Sequence, residues 1–438
     1  MDPFWIGLIG VIGLLALIIL GVHVAISLGL TGMVGMAFIM GPEAALFAST
    51  TLTLDRVTDY GLAIIPLYVL MGALAQEGGI SSGTYECLRL WLGRFRGGLA
   101  IATVGGCTLF GTVCGSSMVT ATVFAQLTAP EMRRMGYQKH FAYAVCSSGG
   151  VIGMLIPPSI LVVVYGILSG DSIGRLLIGA ASPGIALFII FSLGIMIMTR
   201  FNPKLAGKIE YQATWRERLI SLKLIWEVFL IVGIVFGGIF AGIFSPQDAG
   251  AVACTALLII YLFSGKSWGG IKDALCTTIS TSAMIFLMLV GAGLFSRFLV
   301  VSTVAPKVLN VLLSFHLTPL FFFVIVSIIY LILGCFFDSF SMLTITLPLL
   351  HPAAMKLGID PIHFGIVVII VMEIGLLTPP IGLNVYAVKG VAEEDVTLED
   401  LFTGILPFVI MMCFCLALYI LFPILSTILP NMMLGKSG

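Results

Sequence analysis

Charged residues are scarce in this chain of 438 residues. Only 10% of them are Asp, Glu, Lys or Arg, whereas 59% are hydrophobic and the mean hydropathy is +1.16. Soluble globular proteins carry about 25% charged residues, so this sequence has too few to coat a water-facing surface. Its 21 basic and 21 acidic residues cancel, which leaves no excess of positive charge for a nucleic-acid partner. The composition indicates an integral membrane protein in contact with lipid.

Motifs for chemistry are also missing. The nine cysteines lie in apolar stretches without metal-ligand spacing, which favours packing roles. The sequence has no nucleophile–base–orienter set and no phosphate-binding glycine spacing, so we do not expect an enzyme. The N-terminus lacks the basic start of a signal peptide. We therefore expect the first apolar run, residues 4–20, to be a retained span.

Long apolar runs are what the chain has instead. About 20 such residues suffice to cross a bilayer, and clear cases are residues 4–20, 24–40, 223–242 and 401–425.

An internal repeat organises these runs. The segment 152–158 (IGMLIPP) recurs at 374–380 (IGLLTPP), at an offset of 222 residues. The same offset pairs further residues: Ser117 with Ser339, Pro130 with Pro352, Arg134 with Lys356, and Gly136 with Gly358. Matches in one register at half the chain length predict two copies of one helical unit.

Each copy has the same predicted order of segments. The first repeat, residues 1–200, has spans at 4–20, 24–40 and 58–78, an amphipathic arm at 81–96, an interrupted apolar segment at 97–131, a broken span at 139–169 and a last span at 176–199. A basic connector at the membrane surface, residues 201–222, follows. The second repeat, residues 223–438, has spans at 223–242, 246–263 and 277–295, an arm at 296–316, an interrupted segment at 318–351, a broken span at 362–391 and a last span at 401–425.

The interrupted segments are either two crossings each or one re-entrant hairpin each. Basic residues collect in cytoplasmic loops, and this bias decides between the alternatives. With two hairpins, each repeat has five crossings and the repeats are inverted. If both termini lie outside, 15 Lys and Arg residues fall on the cytoplasmic side and 6 outside. We therefore predict an all-α membrane protein of two inverted repeats, each with about five transmembrane helices plus one re-entrant hairpin.

The interruptions are the best candidates for a binding site. Proline lacks an amide hydrogen and disrupts helical bonding, and both Pro-Pro pairs, 157–158 and 379–380, sit in mid-span. Two hairpin tips, 115–117 and 337–341, add further non-helical backbone. Freed carbonyl groups suit a hard cation such as sodium, and helix N-termini favour a carboxylate.

Five polar side chains lie near these interruptions. Asp338 is an intramembrane acid, which predicts an ion ligand or its neighbour, although an N-cap role at the tip is compatible with this. Thr378 and Asn384 add a hydroxyl and an amide at the second break. Ser159 follows the first break, as a ligand or a packing residue. Glu373 either faces the cavity or pairs with a polar group of the scaffold, and the sequence leaves both open.

The chain resembles a known family over nearly its whole length. The residues that carry the resemblance are GCTLFG at 106–111 with GSS at 115–117, APEM at 129–132, IPPS at 156–159, SPQDAGA at 245–251 and TPPIGLN at 378–384. They resemble the large membrane subunit (DctM-like, M subunit) of TRAP transporters. The resemblance implies an elevator-type transporter in the cytoplasmic (inner) membrane of a bacterium or archaeon.

The resemblance also implies a mechanism and partners. It implies sodium-gradient-driven import of a small organic acid, such as a C4-dicarboxylate or sialic acid. The partners would be a small four-helix membrane subunit, expected as a separate chain, and a periplasmic substrate-binding protein. The rival hypothesis is a stand-alone sodium-coupled dicarboxylate symporter or ion antiporter with the same hairpins, which would need no binding protein.

The resemblance further implies the ligand sets. One sodium ion would be held by Ser116, Ser117, Gly153 and Pro157, and another by Gly334, Asp338, Thr378 and Gly382. The substrate would contact Ser117, Ser159, Ser339 and Asn384.

Overall fold

The computed structural model describes residues 2–207, 213–307, 310 and 318–434, and these contain helices and no strands. The predicted all-α class is confirmed. In the first half of the chain the helices are α1 (Pro3–Ile19), α2 (Val24–Met40), α3 (Pro42–Val57), a 3-10 turn (Tyr60–Ala63), α4 (Ile64–Glu77), α5 (Ile80–Leu92), α6 (Gly98–Cys114), α7 (Ser117–Arg134), α8 (Lys139–Leu155), α9 (Ile160–Ser169) and α10 (Ile173–Phe201).

The second half is also helical. It contains α11 (Trp215–Ser221), a 3-10 turn (Leu222–Leu224), α12 (Trp226–Val232), a π-helical turn (Gly233–Gly237), α13 (Gly238–Phe240), α14 (Pro246–Phe263), α15 (Trp268–Val301), α16 (Pro319–Gly334), α17 (Ser339–Lys356), α18 (Pro361–Gly375), α19 (Leu383–Val391), α20 (Leu398–Leu421) and α21 (Ile424–Leu434). The ends of α7 and α17 differ by 222 residues, the offset found in the sequence. For this pair of helices the boundaries follow the sequence offset.

Three segments differ from the predicted boundaries. Helix α3 was not predicted, because its Thr-rich sequence with Asp55 and Arg56 is too polar to stand out as an apolar run. Helix α15 contains the span predicted at 277–295 but continues to Val301. The first residues of the arm predicted at 296–316 are therefore helical and continuous with the span, and the role of this segment as an arm stays a prediction. Its residues 308–309 and 311–316 lie outside the described residues, as do residues 208–212 of the connector.

Helix length and composition are those of a membrane protein. Five of the described helices are long and apolar enough to cross a bilayer, and up to seven if each bent pair counts as one span. One bent pair is α8 with α9, which meet at 45° across the first Pro-Pro break. Several shorter helices are also apolar, including α1 and α2 with 17 residues each, or about 25 Å at 1.5 Å per residue. The ten crossings remain a prediction.

The broken helices lie at the centre of the protein. Every residue from 141 to 155 in α8 and from 362 to 375 in α18 is buried. Their apolar side chains form one large core with both interrupted segments and with α10 and α20. A separate, smaller apolar cluster joins α1, α2 and α3 to the C-terminal part of α15. Both central helices are therefore enclosed on all sides, and the second cluster is smaller and is also contacted by Ile345 and Leu349 of α17.

The two halves exchange contacts in a reciprocal way. Helix α7 packs on α19, and its repeat counterpart α17 packs on α9. Polar contacts follow the same pattern: His351 hydrogen-bonds to Asp171 at 3.0 Å, and Arg133 forms an ion pair with Glu393, which stands 222 residues after Asp171. Hydrogen bonding from Arg133 also holds the pKa of the Asp395 carboxyl below its usual range. The two halves therefore contact each other through corresponding helices.

Candidate functional site

Each interrupted segment brings its tip to a break in a central helix. Gly115, in the left-handed region with φ 63°, lies so close to the first break that a Cβ on it would be 3.1 Å from the Pro158 carbonyl oxygen. At the second tip the Cys335 thiol donates to the Pro379 carbonyl oxygen at 3.1 Å. Each tip is therefore in direct contact with the break of one central helix.

Glycine pairs allow this approach. A Cβ on Gly153 would lie 2.8 Å from the Cα of Gly111, and a Cβ on Gly375 would lie 2.8 Å from the Cα of Gly334. Real Cβ atoms essentially never come that close, so the first helix of each interrupted segment touches its central helix backbone to backbone. Gly153 and Gly334, predicted as sodium ligands, are placed here as contact residues; their predicted role is untested.

Substitution of Gly375 by alanine should push α16 away from α18. Overpacking of this kind costs about 1–3 kcal/mol, so we expect a lower melting temperature in detergent and reduced transport. The matched control is Gly390→Ala in α19, where an added Cβ meets nothing within 4 Å and alanine favours the helix by about 1 kcal/mol. Equal melting temperatures for the two variants would contradict the close-contact argument.

Glu373 lies where the two tips meet. Its side chain is fully buried, and its Oε1 accepts a hydrogen bond from Ser339 Oγ at 3.4 Å. The hydroxyl of Ser117 faces the same carboxylate. Ser117 and Ser339 are repeat counterparts and the first residues of α7 and α17, so the predicted substrate contacts of both tips converge on one acid. Within the described part of the chain, Oε2 has no hydrogen-bond partner and the carboxylate has no ion-pair partner.

Asp338 caps the helix that begins at the second tip. Its Oδ1 accepts from the amides of Phe340 at 3.0 Å and Ser341 at 3.1 Å, and its Oδ2 accepts from the Ser341 hydroxyl. The side chain is half-buried. The N-cap role that the sequence left open is thus present, and coordination of an ion remains a prediction.

The second break carries an amide side chain without partners. Asn384 is fully buried, and neither its Oδ1 nor its Nδ2 is hydrogen-bonded within the described residues. Thr378, in contrast, donates its hydroxyl to the Ile374 carbonyl at 2.7 Å and keeps its oxygen lone pairs available. Gly382 adopts φ 63°, ψ 78° and is the N-cap of α19. Since an unsatisfied buried polar group is costly, Asn384 is a group that a bound ligand would satisfy.

The first break has a different polar set. Ser116 and Ser159 are N-caps of α7 and α9, each accepting from a backbone amide at 3.4 Å, and Ser159 is fully buried. Pro157 is buried at the break. Ser147 and Ser148 on α8 are buried hydroxyls without a partner in the described chain. Sequence reasoning missed this pair, although two adjacent serines inside an apolar span were a usable signal.

The predicted residues are therefore brought together in part. Ser117 and Ser339 meet at Glu373, and each tip meets its own break. Ser159 and Asn384 are buried at the two breaks, and no hydrogen bond joins either side chain to the other predicted substrate contacts within the described residues. The site as a whole is a set of serine hydroxyls, one amide and one acid, enclosed by apolar helices.

Known proteins match this chain along nearly its full length. The family described as "Tripartite ATP-independent periplasmic transporter, DctM component" matches residues 11–425. The C4-dicarboxylate TRAP transporter large permease protein DctM of Vibrio cholerae is 32% identical, and the match covers 96% of each chain. The isethionate TRAP transporter permease protein DctMQ of Oleidesulfovibrio alaskensis is 30% identical over 90% of this chain and 62% of that protein.

A solved structure is similar in fold. The YdaH transporter of Alcanivorax borkumensis matches with a TM-score of 0.60, covering 86% of this chain and 88% of that one, at 17% sequence identity. That likeness concerns the arrangement of helices alone.

Proposed function

This chain belongs to the DctM component family of tripartite ATP-independent periplasmic (TRAP) transporters, and from that premise we propose that it imports a small organic acid, driven by a sodium gradient, through an elevator movement. It is a multi-pass membrane protein and the large permease component of such a system. The proposal concerns the coupling ion, the movement and the ligand sites.

One observation supports the proposed site most strongly: buried polar groups near the tips and at the second break have no hydrogen-bond partner among the described residues. Glu373 Oε2 and both polar atoms of the Asn384 side chain are examples. Unpaired polar groups in an apolar interior cost about 1–3 kcal/mol each, so a protein that keeps several has ligands to satisfy them. Substrate and sodium ions are the ligands that we propose.

The charges favour cations beside the substrate. Asp338 and Glu373 are acids near the two tips, and an organic acid adds further negative charge. Sodium ions between the tips and breaks would offset these charges, which lowers the cost of carrying the loaded site through a low-dielectric environment. We propose that sodium also fixes the tip and break backbone in the binding conformation, which couples the two ligands thermodynamically.

The movement is proposed from the packing. The large core joins the hairpins, the broken helices, α10 and α20 with parts of α4, α5 and α14, whereas α1, α2, α3 and the end of α15 form a second cluster. We propose that the first group slides against the second, with inverted repeats, two re-entrant hairpins, and both termini outside. Helix α5 would be one of the hinged arms.

The partners are proposed from the family. A small membrane subunit on a separate chain and a periplasmic substrate-binding protein would complete the system in the inner membrane. The name DctMQ belongs to a longer relative, of which this chain spans 62%. The relatives' names include a C4-dicarboxylate and isethionate, both small organic anions.

Uptake into proteoliposomes tests the proposal. The chain is reconstituted with its small subunit, and uptake of radiolabelled succinate and sialic acid is measured with each acid's binding protein present or absent. We expect uptake only with both an inward sodium gradient and the binding protein. Uptake by this chain alone, indifferent to the binding protein, would favour the stand-alone symporter, and uptake that follows a proton gradient instead would exclude sodium coupling.

A further inference from the structure

A large groove lies away from the tips and breaks, at the end of α10. It encloses about 1430 Å³ and runs between the segment that follows α5, the turn after α7 and the segment that follows α10. Four basic side chains line it: Arg96, Arg134, Arg200 and Lys204. Among the described residues, none that lines the groove is acidic, and none of the four forms an ion pair.

The other wall of the groove is apolar and faces outward. Leu193, Met196 and Ile197 project from α10 with 53%, 46% and 56% of their surface exposed. Helix α10 has the length and hydropathy of a full crossing, so these side chains face lipid. Leu193 lies about 10 Å along the helix from Arg200, at 1.5 Å per residue. The groove therefore has cations at the end of α10 and, further along the same helix, an apolar wall that an acyl chain could contact.

The floor of the groove is fixed by backbone contacts. The Gln138 amide donates to the Leu205 carbonyl at 3.3 Å, which ties the segment after α10 to the turn between α7 and α8. Gly207 packs against the Met135 carbonyl. The four cations are thus carried by segments held together, although they are far apart in sequence.

We propose that this groove binds an anionic phospholipid, with the phosphate among the four cations and an acyl chain along Leu193, Met196 and Ile197. Basic pockets between membrane helices are the usual sites for such headgroups. A soluble phosphate would contact only the cations and would leave the apolar wall uncovered. A phospholipid would contact both, so the apolar wall favours a lipid. In the proposed orientation the lipid belongs to the cytoplasmic leaflet; binding itself is independent of the transport function.

Native mass spectrometry of the full-length chain in detergent tests this. The probes are dioleoyl phosphatidylglycerol, dioleoyl phosphatidylcholine and glycerol 3-phosphate. Each cation near a membrane surface contributes about fivefold in affinity, so Arg134→Gln/Arg200→Gln should bind phosphatidylglycerol about 30-fold more weakly. Phosphatidylcholine binding should not change. The matched control is Arg216→Gln/Lys223→Gln, two exposed basic residues outside the groove, which should bind like the wild type.

Three results would overturn the proposal. The control variant could lose as much affinity as the groove variant, which would indicate general surface charge. Glycerol 3-phosphate could compete as well as the lipid, which would indicate a soluble-anion site. Ile197→Asn could leave phosphatidylglycerol affinity unchanged, which would exclude the acyl wall. Should the double variant fail to fold, as judged by its melting temperature, Lys204→Gln alone should still lower affinity about fivefold, and an unchanged affinity would count against the site.

Discussion

Replacing Glu373 with glutamine should lower sodium-driven uptake at least roughly tenfold and raise the melting temperature of the protein. The substitution keeps the shape of the side chain and its hydrogen bond from Ser339. It removes a carboxylate that is fully buried, has one weak hydrogen bond of 3.4 Å, and has no ion-pair partner within the described residues. Burying an acid without an ion-pair partner costs free energy, either as an unpaired charge or as the free energy of protonating it at neutral pH, so the unliganded protein gains stability when glutamine replaces it.

A loss of uptake together with a higher melting temperature distinguishes an acid that binds a ligand from an acid that only stabilises the fold. If Glu373 served only as a hydrogen-bond acceptor for Ser339, glutamine would preserve transport. The measurement is uptake across a series of sodium concentrations, with melting temperatures taken on the same samples. The control is Glu43→Gln, an exposed acid in the first turn of α3. Wild-type uptake in Glu373→Gln would remove this residue from the proposed site.

The location of Glu373 between the tips could not be read from the sequence. Helix α18 is apolar all round, so its pattern gives no face to which Glu373 could be assigned. The repeat gave no help, because the counterpart of Glu373 at the 222-residue offset is Val151. Only the packing of α7 and α17 against the two central helices places Ser117 and Ser339 at this carboxylate. Local signals specify helices, whereas a site shared by two repeats depends on their mutual packing.

The positions of the two breaks, in contrast, could be predicted from the sequence. Proline cannot donate a backbone hydrogen bond, so Pro157-Pro158 and Pro379-Pro380 mark interruptions wherever they occur in an apolar run. The structure has α8 ending at Leu155 and α18 ending at Gly375, just before these pairs. Helix α3 was missed for the opposite reason: its sequence is too polar to resemble a span. Such a helix is specified by its packing on α2 and α15 rather than by its own hydropathy.

Asp338 gives the second large expected effect, and two substitutions separate its two roles. Asn is as good an N-cap as Asp, whereas Ala costs about 1 kcal/mol at such a position. The amides of Phe340 and Ser341 both donate to Asp338 Oδ1, and the side-chain oxygen of asparagine can accept from them. Asp338→Asn should therefore keep the wild-type melting temperature, and Asp338→Ala should lower it.

The uptake rates of Asp338→Asn and Asp338→Ala should not follow their melting temperatures. If the carboxylate of Asp338 coordinates sodium, both variants lose its charge, and both should lower sodium-driven uptake by at least roughly tenfold. If it is only a cap, Asp338→Asn should transport like the wild type, and Asp338→Ala should be impaired only as far as its stability is. Uptake measured against sodium concentration for both variants decides between these roles. The Ser341 hydroxyl donates to Asp338 Oδ2, so Ser341→Ala removes a hydrogen bond to the carboxylate and leaves its charge. If Asp338 coordinates sodium, Ser341→Ala should impair uptake less than Asp338→Asn does.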